Sequence, residues 1–174
     1  MKQKLLTRWC AVVGFVLAGG ITGWAAPILK DKTDIPDQMR SLANIRQIHL
    51  EFFKLPKAFL DAGVREEDLR TRAKELLAEA GITTVPEDVT PKMSLMFMVL
   101  RDPAQGERVP FVLFADIQQK VRVHRLGEDL VVPTSTIIAA DVVGRDELAD
   151  VVMRQTALTI GSFIRFERQG ASRN

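Results

Sequence analysis

The stretch that most limits what this chain can become is residues 93–125, where two apolar runs face each other across a cluster of turn formers. Residues 93–100 read Met-Ser-Leu-Met-Phe-Met-Val-Leu, apolar on both parities, which predicts an inner strand covered on both faces. Residues 102–107, Asp-Pro-Ala-Gln-Gly-Glu, predict the turn. The return leg keeps Val109, Phe111, Leu113, Ala115, Ile117, Val121 and Val123 on one parity, broken by Gln119. Unbroken, that leg would run near 50 Å at ~3.3 Å per residue, so a bulge is expected around residues 118–119.

The remaining segments read as elements that pack on this hairpin. Ile48, Leu50 and Phe52 alternate with His49 and Glu51 in a half-buried strand that Pro56 stops. A helix is predicted over 65–80, with Glu66, Glu67 and Asp68 in its first turn. Leu69, Ala73, Leu76, Leu77 and Ala80 form its stripe, and Gly81 is its left-handed stop. Residues 37–41 suit one helical turn, and residues 83–85 suit a short strand. After a turn at 126–129, Pro133 leads into a strand over 134–143 that Gly144 ends. A last helix is expected over 146–166, with Asp146 and Glu147 acidifying its start. Leu148, Val151, Val152, Gln155, Leu158, Thr159, Ser162 and Phe166 form its buried stripe. The order β-α-β-β-β-α predicts an α+β two-layer sandwich, a four-stranded mixed sheet with two helices on one face. The first crossover is expected to be right-handed.

Lys2, Lys4 and Arg8 precede a charge-free run over 9–26, the layout of a signal peptide. Gly23 and Ala25 place small residues at both recognition positions for a cut after Ala25, so a periplasmic or secreted protein is expected. The alternative is an inner-membrane anchor formed by residues 9–26. The organisation then reads as a signal peptide at 1–25, a lead-in at 26–43, a single α+β domain at 44–168 and a frayed tail at 169–174. Without those three bases, the 24 Lys+Arg against 22 Asp+Glu become a slight acidic excess, so the basic balance belongs to the leader. Nothing in the charge argues for nucleic acid. Cys10 leaves with the leader, so no disulfide or Cys-based metal site is expected in the body.

A leader, then Ile35-Pro-Asp-Gln-Met-Arg-Ser-Leu-Ala-Asn-Ile-Arg-Gln-Ile-His-Leu50, a helix ending in Ala80-Gly-Ile82, long strands and a terminal helix form an order of elements. It resembles the small exported α/β proteins of bacterial envelopes. The lipopolysaccharide-assembly lipoprotein family and the amino-terminal domain type of the Tol-system β-propeller protein are the named comparisons. The resemblance implies the two-layer architecture and an envelope location. It transfers no functional residue, and no lipoprotein cysteine follows the apolar run.

Motifs for chemistry are sparse: there is no G-x-S-x-G, no phosphate-cradling glycine loop and no H-E-x-x-H. His49 and Glu51 share a strand face and would make a hydrolytic or metal site only if His124 and Asp116 converged on them. Lys120, Arg122 and His124 form a short cationic stripe that would suit a phosphate or lipid headgroup. Met96, Met98, Leu100, Val112 and Phe114 leave an apolar surface on the hairpin after the opposite parity has gone into the core. The leading expectation is therefore an exported non-enzymatic domain with no cofactor and no resident metal. It would bind an envelope protein, or a second copy, through that face or a sheet edge. A carrier of a small apolar or lipid ligand is the alternative, and a weak hydrolase using His49, Glu51 and His124 the third.

Overall fold

In a computed structural model of the chain, residues 36–86, 89–100 and 107–172 are described. The expected signal peptide and anchor, the first part of the lead-in and most of the hairpin turn lie outside them. Among the described residues no helix is long and apolar enough to cross a membrane.

The elements are α1 (Asp37–Ser41), β1 (Gln47–Phe52), α2 (Lys57–Asp61), α3 (Glu66–Glu79), β2 (Thr83–Val85), β3 (Lys92–Val99), β4 (Arg108–Val123), β5 (Glu128–Gly144) and α4 (Leu148–Ala171). The class is α+β, as the alternation and stripes predict, but the described sheet has five strands and four helices accompany it, not four and two. The order across the sheet is β2-β1-β3-β4-β5. The β1 strand runs parallel to β2 and β3, and the β3-β4 and β4-β5 pairs are antiparallel. The additional strand is the Thr-Thr-Val segment, which registers Gln47 on Thr83 and His49 on Val85 at one edge. The helix the alternation did not show is α2, which starts after Pro56, whose φ of −57° suits a helix entry.

Phe59 is the reason α2 exists as a packed element. It is fully buried, with its ring edge-on to Phe97 and to Phe111, both centroids 5.4 Å away. Around it, Ile48, Leu50, Met93, Leu95, Val109, Leu113 and Ile117 line the helix-facing side of the sheet, opposite Leu69, Ala73 and Leu77 of α3 and Val152, Ile160 and Phe163 of α4. Each large side chain sealed in this layer contributes about 1.5–3 kcal/mol relative to exposure. Helix α3 ends as predicted: Gly81 has φ 80°, its amide bonds Ala78 O, and the Ile82 amide reaches back to Leu77 O while its side chain is buried.

Three expectations need correction. First, β5 does not begin after Pro133 but at Glu128, because Leu130, Val131 and Val132 pair with Val121, Lys120 and Gln119. The turn moves back to His124–Gly127, with Gly127 at φ 67°. The bulge lies where expected but on the partner strand. Ile117 opposes Ser135 and Gln118 opposes Pro133, leaving Thr134 as the extra residue, whose hydroxyl donates to Ile117 O.

Second, Asp146 and Glu147 precede α4 rather than filling its first turn, where Asp150 stands. Of its expected stripe, Leu148, Val151, Val152 and Thr159 are buried, but Thr156, Ile160, Phe163, Glu167 and Gly170 complete the buried side in place of Gln155, Leu158, Ser162 and Phe166, and Leu158 is 54% exposed. Apolar residues on several sides of this helix leave its phase to be set by what it packs against. Third, α4 continues to Ala171 instead of fraying at 169. Helix α1 holds that end, and the buried Glu167 accepts from the amide of Asn44, a left-handed residue at φ 63°. Leu42, from the expected lead-in, is fully buried.

The α1–α4 contact is close enough that a Cβ on Gly170 would run into the Met39 carbonyl, whereas nothing lies within 4 Å of one on Gly161. Gly170→Ala is expected to destabilise the fold by about 1–3 kcal/mol. Gly161→Ala is expected to stabilise it by about 0.5–1 kcal/mol, since glycine weakens a helix interior. Urea unfolding of the two variants side by side checks both signs.

Candidate binding surface

The β3–β4 register decides what the second parity of the hairpin does. Met96 opposes Phe114, which opposes Ile138, and Met98 opposes Val112, which opposes Ala140. These residues lie on the face turned away from the helices, since their strand neighbours Leu95, Phe97, Leu113 and Ala115 are the ones in the core. Phe53, one step past the end of β1, joins the first row level with Met96, because its amide donates to Leu95 O at 2.9 Å. Leu100, whose amide reaches Pro110 O, and Val142 continue the surface at the same end. Five of its members are well exposed: Phe53 47%, Met98 43%, Leu100 61%, Ile138 61% and Val142 48%. Together with the half-buried Met96, Val112 and Phe114 they form a contiguous apolar surface rather than scattered surface side chains.

The other half of the same face is polar and satisfied within itself. Ser94 Oγ donates to Glu51 Oε2 at 2.7 Å, and Lys92 Nζ lies 3.5 Å from the same oxygen. Thr136 Oγ1 donates to Asp116 Oδ1 at 2.6 Å. Beyond Gln118, β4 and β5 run on past β3 as a two-stranded arm. There Lys120 and Arg122 share one carboxylate, Asp129, at 3.2 Å each. The cationic stripe expected for a phosphate or lipid headgroup is thus partly neutralised, and His124 sits past the end of β4 in the turn.

The sequence-derived residues fall into two groups. Met96, Met98, Leu100, Val112 and Phe114 do come together on one open face. Lys120, Arg122 and His124 lie on the arm, away from it. The His49–Glu51–His124 set is not assembled: His49 is level with Lys92 and Gln118, whereas His124 lies beyond Val123, the far end of β4, which is five residues past Gln118 or about 17 Å at ~3.3 Å per residue. His49 Nδ1 donates to Val85 O at 3.1 Å. It borders a cleft of about 290 Å³ with Lys74 and Arg70, whose guanidinium is already held by Leu50 O, Glu66 and the Phe52 ring. Asp116, the fourth group of that expectation, is taken by Thr136. Among the described residues no cluster of three or more His, Cys, Asp or Glu could hold a metal ion.

The residues that sequence reasoning missed are Phe53, Pro110, Ile138, Ala140 and Val142. Residues 137–143 are apolar on both parities except for Asp141, which is the same signal that marked residues 93–100.

The Asp129 carboxyl is held below the usual aspartate range, first by its hydrogen bond from Arg122 and then by that from Lys120. A depressed folded-state value means the contribution to stability is present above the ordinary aspartate pKa and lost as pH falls through the lowered one. Carboxyl NMR titration is expected to place Asp129 below a free aspartate, and Arg122→Ala is expected to move it back towards one.

No family model matches the chain, and no curated protein does. Among solved structures, a minor lipoprotein from Acinetobacter baumannii is similar at 17% identity, over 66% of this chain and 94% of that one, with a TM-score of 0.30. A likeness at that score carries no argument about fold or function.

Proposed function

We propose that this is an exported, non-enzymatic domain that binds a protein component of the cell envelope through the apolar half of its open sheet face. The observation that carries this reading is the row Phe53, Met96, Phe114 and Ile138 with its neighbour Met98, Val112 and Ala140, contributed by four adjacent strands. An apolar surface of this extent is costly to leave in water and is the kind of area that partner association removes. Methionines at its centre suit a face that adapts its shape to what it meets. Export is supported by the bases at Lys2, Lys4 and Arg8 followed by the charge-free run.

A carrier role gains less support. The layer between sheet and helices is filled by Leu42, Phe59, Leu69, Leu77, Phe111 and Phe163, all fully buried. The clefts nearby are lined by charged residues such as Asp61, Arg145 and Asp146, which do not suit an apolar ligand.

The test is capture from envelope extracts of the host, followed by rebinding of the identified component to the purified chain. Met98→Asp, at a position already 43% exposed, is expected to weaken that binding by ~10–100-fold. The unfolding midpoint should stay within about 0.5 kcal/mol of the parent. Rebinding that Met98→Asp leaves unchanged would count against the face as the docking surface.

A further inference from the structure

Independently of the apolar face, we propose that the cleft bordered by α3, β1 and the end of β2 binds a phosphoryl group, held by His49, Arg70 and Lys74. Unequal strand lengths build it. Strand β2 stops at Val85, level with His49, while β1 runs on to Phe52. The amides of His49 and Phe53 bond to Pro91 O and Leu95 O on the β3 side, so the carbonyl of Leu50, of opposite parity, points to the side that β2 has left. Arg70 reaches it from α3, donating to Leu50 O at 2.8 Å and to Glu66 Oε1 at 2.7 Å, with its guanidinium 5.0 Å from the centre of the Phe52 ring. These contacts fix the guanidinium yet use two of its five N–H groups, so three remain for a ligand.

Charge distinguishes this cleft from the stripe on the arm, where Asp129 holds both cations. On and beside α2 and α3, Lys57 pairs with Asp61, Arg65 with Asp68, Arg70 with Glu66 and Arg72 with Glu75, each three or four residues apart. Lys74 has Arg70, Thr71, Leu77 and Ala78 at those spacings, and no acid among the described residues pairs with it. His49 donates from Nδ1 to Val85 O, which leaves Nε2 as the open position of its ring. Glu51, two residues along, is engaged by Ser94 and Lys92. Among the described residues none that lines the cleft is acidic, and Thr84 adds a hydroxyl. Because Glu66 offsets Arg70, the surplus charge is that of Lys74, joined by His49 when its ring is protonated. Donors of four shapes, from three elements, suit the tetrahedral oxygens of a phosphoryl group better than a flat carboxylate, which one bidentate arginine satisfies. At about 290 Å³ the cleft is at the small end of ligand pockets, so it takes a small anion or the phosphoryl end of a larger molecule.

The experiment is an NMR titration of the full chain with inorganic phosphate at fixed pH and ionic strength, chloride making up the balance. The chain has two histidines, so the ring signals of His49 report the cleft and those of His124 serve as the control. The expected result is a saturable shift at His49 with His124 unmoved. Lys74→Gln, an exposed position on α3, is expected to weaken the phosphate affinity by ~10-fold or more, and Lys120→Gln on the arm to leave it unchanged. Glu87→Gln with Asp88→Asn, which removes the two acids that follow Pro86 outside the described residues, is expected to bind at least as tightly as the parent. Co-sedimentation with phosphatidylglycerol vesicles, against phosphatidylcholine alone, separates the sources. Vesicle binding lost in Lys74→Gln assigns the phosphoryl group to a lipid headgroup, and phosphate binding without vesicle binding assigns it to a soluble compound; both uphold the site. No saturable shift at His49, an affinity that Lys74→Gln leaves intact, an equal loss in Lys120→Gln, or weaker binding without the two acids overturns it.

Discussion

The structure depends on one aromatic wedge. Phe59, carried by the five-residue helix α2, enters between Phe97 of β3 and Phe111 of β4 and meets both rings edge-on. That contact commits one parity of the central strand pair to the helix layer. Because successive side chains on a strand point to opposite faces, Met96, Met98, Val112 and Phe114 are committed to the other side by the same act. The helices α3 and α4 cover the first face, and the apolar residues of the second face follow as a geometric consequence of how the first was filled.

The two halves of the open face differ in what removing water would cost. Ser94, Glu51, Lys92, Asp116 and Thr136 are already bonded to one another, but a partner seated there would still strip water from charged groups, and surface ion pairs return little for that loss. The Phe53–Ile138 half carries no such cost. Association gains most where desolvation is favourable, and of the two halves that is the end of the sheet away from the arm, the half to which the proposed binding is assigned.

The arm continues through a local irregularity. Thr134 is inserted between Pro133 and Ser135 without an opposite residue, and its hydroxyl joins Ile117 O to the Gln119 side chain, which also reaches Ser41 O. Pro133 offers no amide hydrogen, and it lies on β5, an edge strand, where proline is tolerated. The pairing therefore survives the bulge and continues to Val123 and Glu128.

What the sequence by itself determined is whatever depends on near neighbours along the chain. The alternation of Ile48, Leu50 and Phe52, the single parity of Val109 to Ile117, the acidic start of α3 and its Gly81 stop are all legible, because period and capping act within a few residues. The five hairpin residues of the candidate site are legible for the same reason. Only the tertiary structure decided which face of the two-sided strands went into the core, the phase of the later part of α4, the pairing of the short Thr83–Val85 strand beside β1 and the extension of β5 past Pro133. It alone brought Phe53, Ile138 and Val142 beside Met96 and Phe114. Where both parities are apolar, hydropathy is the same for either choice, and the decision passes to contacts between residues far apart in sequence, such as Phe59 with Phe97 and Phe111.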